Sequence, residues 1–147
     1  MKHFLHRWIP WLLLLSTGVG FVDSVLIHWE IASRQPINCF VVKGCTDVLL
    51  SPYNNIFGIS LAYIGMVFYA GLAVLLVAYM RSKKKVFEYW YGAGIGCGIA
   101  FSFYLFIVQG FVLGSFCSYC LLSLMNMVVA GALYVSWGGV RRRIIAV

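Results

Sequence analysis

At 147 residues, 63% hydrophobic and only 10% charged, the chain carries more apolar surface than a soluble domain of this size can bury, so the bilayer must be its solvent. The formal charge of +7 gathers at the ends of apolar runs rather than along a basic face interleaved with aromatics, which sets nucleic-acid binding aside. One domain, residues 1–147, is the expectation from length.

A short basic segment, MKHFLHR, precedes the first apolar run from Trp8 to about Ile27. That run has the ~20 residues a spanning helix needs and exceeds the ~7–15 of a signal-peptide core, and no A-x-A site follows Ser16-Thr17-Gly18. Asp23 lies near its far end. An acid inside a span is a functional candidate, but the reading favoured here puts Asp23 at the water interface with Ser24 and His28.

Residues 28–56 break the apolar pattern, with turn signals at Pro36, Gly44, Pro52 and Asn54-Asn55. They read as a polar loop with one short helical piece, Thr46 to Leu50, and with His28 and Glu30 as solvated loop residues. The loop contains Cys39 and Cys45. Spans follow at about 57–80, 86–109 and 117–137, separated by the basic RSKKK segment and by a short connection at 110–116. Gly92/Gly96/Ala100 and Gly94/Gly98/Ser102 form two small-residue rows that let helices approach closely. A nucleotide-binding glycine loop would need a preceding strand in a soluble βαβ unit, so it is rejected. The fold expected is an all-α integral membrane protein, a four-transmembrane-helix bundle with a long outer loop between helices 1 and 2.

With four spans, the N-terminus, the RSKKK segment and the Arg141-Arg142-Arg143 tail share one side, which the positive-inside rule makes cytoplasmic. The loop 28–56 and the connection 110–116 then face outward, the expectation being the periplasmic side of a bacterial inner membrane. Of five cysteines, Cys39, Cys45, Cys117 and Cys120 lie on that oxidising side, while Cys97 sits mid-helix as a small packing residue.

Cys117-Ser118-Tyr119-Cys120 is a C-x-x-C pair at the start of the fourth span. Thiols at this spacing can close a disulfide across the first helical turn, and the helix N-terminus favours a thiolate. A loop pair that swings against a fixed pair makes a two-electron relay through mixed disulfides. Its terminal partner at the bilayer edge should be lipid-soluble, which suggests a quinone. Two rival readings are structural disulfides in a non-enzymatic scaffold and a four-cysteine zinc site, for which the loop spacing is loose.

The order of the pairs, loop first and C-x-x-C last, with Cys45 followed by Thr46-Asp47-Val48-Leu49-Leu50-Ser51-Pro52-Tyr53 and Asn54-Asn55-Ile56-Phe57-Gly58, resembles the vitamin K epoxide reductase family, particularly its bacterial members. The resemblance covers nearly the whole chain. It implies an enzyme, a quinone-dependent thiol–disulfide oxidoreductase that drives disulfide formation, with Cys120 reacting with the quinone. Cys117 would pair with Cys120 and exchange with Cys45, and Cys39 would meet a separate thioredoxin-like (DsbA-like) partner. Ser51, Asn54 and Phe57 match family positions beside the quinone, which would be of the ubiquinone, menaquinone or vitamin K type; no metal is expected. Vertebrate members carry a tyrosine four residues after the last cysteine, where this chain has Leu124. That favours quinone reduction over the alternative, epoxide reduction. Bacterial members with a fused thioredoxin-like domain differ from this chain, so a separate partner is expected.

Overall fold

A computed structural model describes residues 2–33, 45–49, 55–56 and 58–145; Cys39, Ser51, Asn54 and Phe57 lie outside them. Helix α1 spans Lys2–Ser33 and the short α2 spans Cys45–Leu49. A minimal antiparallel ladder pairs β1 (Asn55–Ile56) with β2 (Ile59–Ser60). Helix α3 covers Leu61–Ser82 and α4 Lys85–Ile107. A π-helical turn over Val108–Leu113 extends α4, and α5 runs from Ser118 to Ile145. Four of these helical stretches are long and apolar enough to cross a membrane: Trp8–Ser33, Leu61–Ser82, Lys85–Leu113 and Ser118–Gly138. The chain is an all-α, four-span membrane bundle, as expected.

Helix α1 packs on α3 and α5, and α4 packs on the same two, so α1 and α4 stand on opposite corners of the bundle. Much of the helix surface is apolar and faces outward, with Leu15, Val67, Val74 and Val135 all exposed. In a bilayer that surface meets acyl chains and needs no protein cover. Hydroxyls inside the spans are satisfied locally. Thr17 donates to the Leu13 carbonyl (2.8 Å) and Ser24 to the Gly20 carbonyl (3.0 Å). A reciprocal pair ties α1 to α5: Ser16 Oγ donates to Asn126 Oδ1 (2.8 Å), and Asn126 Nδ2 donates to the Ser16 carbonyl (3.0 Å).

Two buried clusters divide the bundle lengthwise. One holds Ile9, Leu13, Leu72, Leu76, Tyr79, Tyr91, Ile95 and Trp137, with Tyr79 and Trp137 edge to face at 5.1 Å. The other holds Ile27, Cys45, Val48, Leu49, Ala62, Cys117 and Tyr119. The first end is stitched by a tight link from α3 to α4. There Lys83 takes a left-handed conformation (φ 54) and its N–H closes on the Tyr79 carbonyl.

Several boundaries differ from the sequence reading. Helix α1 continues to Ser33, so His28 and Glu30 are helical rather than loop residues. Hydropathy falls there, yet no glycine or proline stops the backbone before Pro36. The second span starts at Leu61, not at 57, because the β1–β2 hairpin occupies its first residues and turns through Gly58 at φ 83. Ser60 then caps α3, accepting from the Ala62 N–H (3.3 Å). The third span runs on through the π-turn, leaving a shorter link to α5 than the expected 110–116.

The glycine rows act only in part. A Cβ at Gly98 would crowd Met127 (3.0 Å) and Phe68 (3.1 Å), one at Gly94 would overlap Leu72 (2.6 Å), and one at Gly92 would run into the Tyr134 ring. At Gly96 nothing lies within 4 Å, so Gly92/Gly96/Ala100 is not a continuous contact row.

Candidate functional site

The C-x-x-C motif sits where α5 begins. The Leu121 N–H bonds to the Cys117 carbonyl (3.1 Å), which makes Cys117 the capping residue of the helix. Its thiol lies over the free N–H groups of the first turn. The Cys120 S–H, hydrogen-bonding to the Cys117 sulfur, holds the Cys117 thiol below its ordinary range; burial opposes this, the Cys120 and Tyr119 backbone N–H groups add to it, and the Asp23 carboxyl weakly opposes it. Cys117 and Cys120 are free thiols, and Cys45 is disulfide-bonded.

The turn preceding the motif is built around Gln109, a residue the sequence reading treated only as the end of the third span. It is 3% exposed and belongs to the π-turn. Its backbone carbonyl accepts from the N–H of Gly114, which is left-handed at φ 60, and from that of Ser115 (3.2 Å). Its side-chain Oε1 accepts from the Cys117 N–H at 3.0 Å. The same residue lines the cavity alongside Cys120. One glutamine therefore holds the connection from Gly114 to Cys117. π-Turns are uncommon and concentrate at functional sites, since the extra residue re-aims the side chains that follow.

Cys45 and Cys117, both at 0% exposure, belong to the same buried cluster, where α2 packs against the π-turn. Cys120 packs against the edge of that cluster and also borders open space. It lines a cavity of about 330 Å³ enclosed by α1, α2, α3, the end of α4 with its π-turn, and α5. Cys117 does not line that cavity. The walls are mainly apolar, from residues such as Ile27, Leu49, Ile64, Phe101 and Leu105, and Tyr69 and Met127 close the cavity toward the packed end. Tyr69 reaches its place because Gly20 leaves room for its ring, and its hydroxyl shares a 2.8 Å hydrogen bond with Ser123 Oγ. The mainly apolar lining with a few polar groups suits a small apolar ligand with a few polar substituents.

Two readings are corrected at this site. Asp23 is not at the water interface: it is 4% exposed, lines the cavity, and its two carboxylate oxygens have no hydrogen-bond partner among the described residues. Its neighbour Ser24 is also buried, while His28 is exposed. Cys97 is not a buried packing residue either; it is exposed into the cavity. Glu30 faces α5 and accepts from the Tyr119 hydroxyl (3.0 Å), a tie between α1 and α5 beside the C-x-x-C turn. The sequence signal for Asp23 and Gln109 was the same: a polar side chain inside an apolar run, which is costly unless the bundle interior uses it.

Leu124 does not line the cavity. Ser123 does, together with Tyr69. No individual curated protein matches the chain. The family description "Vitamin K epoxide reductase family" matches residues 11–135, most of the chain and all five cysteines. With that match and a C-x-x-C turn at the mouth of an intramembrane cavity, the chain belongs to the vitamin K epoxide reductase family, a family of membrane oxidoreductases.

Proposed function

We propose that the protein oxidises a thioredoxin-like partner and reduces a membrane quinone, driving disulfide formation. The observation that carries this reading is the division of labour between the two C-x-x-C thiols. Cys117 packs in the cluster that contains Cys45, whereas Cys120 opens onto the apolar cavity. A pair with one sulfur toward a loop disulfide and the other toward a lipid-accessible hollow is placed to exchange on one side and discharge on the other.

In the proposed sequence the partner reduces the Cys39–Cys45 disulfide, and a loop thiolate then attacks the Cys117–Cys120 disulfide at Cys117. The mixed Cys45–Cys117 disulfide resolves to leave the loop oxidised and the C-x-x-C pair reduced. Closing the Cys117–Cys120 disulfide again releases two electrons and two protons, and a quinone in the cavity takes up both to become the quinol. The lowered proton affinity of Cys117 supports its role as attacking and leaving sulfur, because thiolates exchange and thiols do not. Ser51, Asn54 and Phe57, carried over from the family pattern, complete the quinone site in this reading.

The cysteine-bearing end faces the outer, periplasmic side of a bacterial inner membrane, opposite the basic Arg81, Lys83, Lys84 and Lys85. The experiment that tests the reading is quinone reduction by Cys120→Ala in membranes. Activity should fall to background while the bundle stays folded; quinone reduction at the wild-type rate would sink the mechanism.

A further inference from the structure

We propose that Asp23 is a catalytic acid of the quinone cavity, a carboxyl that passes a proton to the quinone oxygen as electrons arrive from Cys120. This role rests on the thiol–quinone reading above and goes beyond it, since nothing in the cysteine relay says how protons reach an apolar cavity.

Asp23 is 4% exposed, in the middle of a bilayer-spanning helix, yet neither carboxylate oxygen has a hydrogen-bond partner among the described residues. Four other polar side chains of the cavity lining have partners. Ser24 donates to the Gly20 carbonyl, Tyr69 and Ser123 bond each other, and Gln109 serves the Cys117 N–H. Asp23 lines the same cavity as Cys120, and among the described residues no lysine or arginine lines it. An ionised carboxylate facing so apolar a lining is costly, and in this proposal Asp23 enters the step as the protonated acid. A structural acid in a bundle interior would be tied to a neighbour; this one is free to bond whatever occupies the cavity.

Both S–H bonds of Cys117 and Cys120 are lost and one S–S bond forms, giving up two electrons and two protons. The quinone gains the two electrons, and its two carbonyl oxygens become hydroxyls. Asp23 supplies the proton to one of those oxygens and is reprotonated by one of the thiol protons, so it ends the cycle as it began. The other thiol proton goes to the second oxygen.

The test is single-turnover oxidation of the full-length protein in lipid nanodiscs. The protein is reduced with a small dithiol, freed of it, and mixed with a short-chain ubiquinone analogue. Quinol formation and closure of the Cys117–Cys120 disulfide are timed together over a range of quinone concentrations. Asp23→Asn, isosteric and unable to give up a proton, should slow the maximal rate about 100-fold. Its half-saturating quinone concentration should shift by less than about threefold, as expected when only the transition state is affected. Asp23→Glu should recover to within about tenfold of wild type, since the acid is restored. Oxidation of Asp23→Asn at the wild-type rate, or a loss confined to quinone affinity, overturns the proposal. Should Asp23→Asn fail to insert, Asp23→Glu decides alone, and a loss beyond about tenfold overturns it. A wild-type protein that forms no quinol would instead overturn the thiol–quinone reading itself.

Discussion

The two ends of the bundle are made from the same apolar helices but are built to different rules. The end around Leu76, Tyr91 and Trp137 is closed by large side chains packed against one another, with Tyr79 and Trp137 edge to face. The end around Cys45 and Cys117 is closed by small sulfur-bearing residues, a short helix and a π-turn, and it encloses a cavity. Tyr69 and Met127 stand at the boundary and belong to both. Close packing of large side chains is concentrated at one end, and polar groups, a helix terminus and open volume are gathered at the other.

This contrast can be broken at either end. The largest stability loss should come from the packed end: Leu76→Ala, at a site 1% exposed, should cost about 2–5 kcal/mol in reversible detergent unfolding. It should leave the reactivity of Cys117 unchanged. At the other end, Gln109→Ala strips a partner from the buried Cys117 N–H and should cost less, about 1–3 kcal/mol. Unlike Leu76→Ala, it should alter the oxidation rate of the C-x-x-C pair, because it frees the turn that aims both sulfurs. A Gln109→Ala protein with a wild-type oxidation rate would show the π-turn to be packing alone.

The third expectation concerns pH. Cys117 loses its proton more readily in the folded chain than an ordinary thiol, which titrates near 8.5. A depressed value in the folded state means the associated stability is complete above the ordinary thiol value. It is lost as pH falls through the lowered folded value. A thiolate-absorbance titration, taken as the difference between wild type and Cys117→Ser, should show a midpoint below the ordinary one. Cys120→Ala, which removes the main hydrogen-bond donor to that sulfur, should move the midpoint upward. The smallest effect is expected on the lipid-facing surface shared by both ends. Val135→Ala, at a strongly exposed position, should change stability by no more than about 0.5 kcal/mol.

The packed end was the more legible of the two. Apolar runs of spanning length, broken by Lys83-Lys84-Lys85 and followed by Arg141-Arg142-Arg143, carry their meaning in composition alone, so span number and order could be read directly. The C-x-x-C turn was equally plain, since its spacing is its signature. What surrounded it was not. Helix α1 outlasts its hydrophobic stretch, so Glu30 was assigned to solvent when it faces Tyr119. Hydropathy measures where lipid stops, not where backbone hydrogen bonding stops. Asp23 was assigned to the interface for the same reason, by its nearness to the end of the apolar run. The face it presents is set by how α1 rotates against α3 and α5. In helices apolar on nearly every side, periodicity does not say which residue points inward, and Cys97, mid-helix in such a run, opens onto the cavity instead of packing. The π-turn has no local sequence signature beyond Gly110 and Gly114, and only the fold reveals that Gln109 holds it together.

The relay between the two cysteine pairs is tested most directly by trapping thiols in native membranes, with the quinone pool intact and then depleted, and mapping the linkages by mass spectrometry. Depletion should leave Cys117 and Cys120 reduced, with a Cys45–Cys117 disulfide captured as an intermediate. Pairs that remain oxidised whatever the state of the quinone pool would contradict the relay and make these cysteines structural staples.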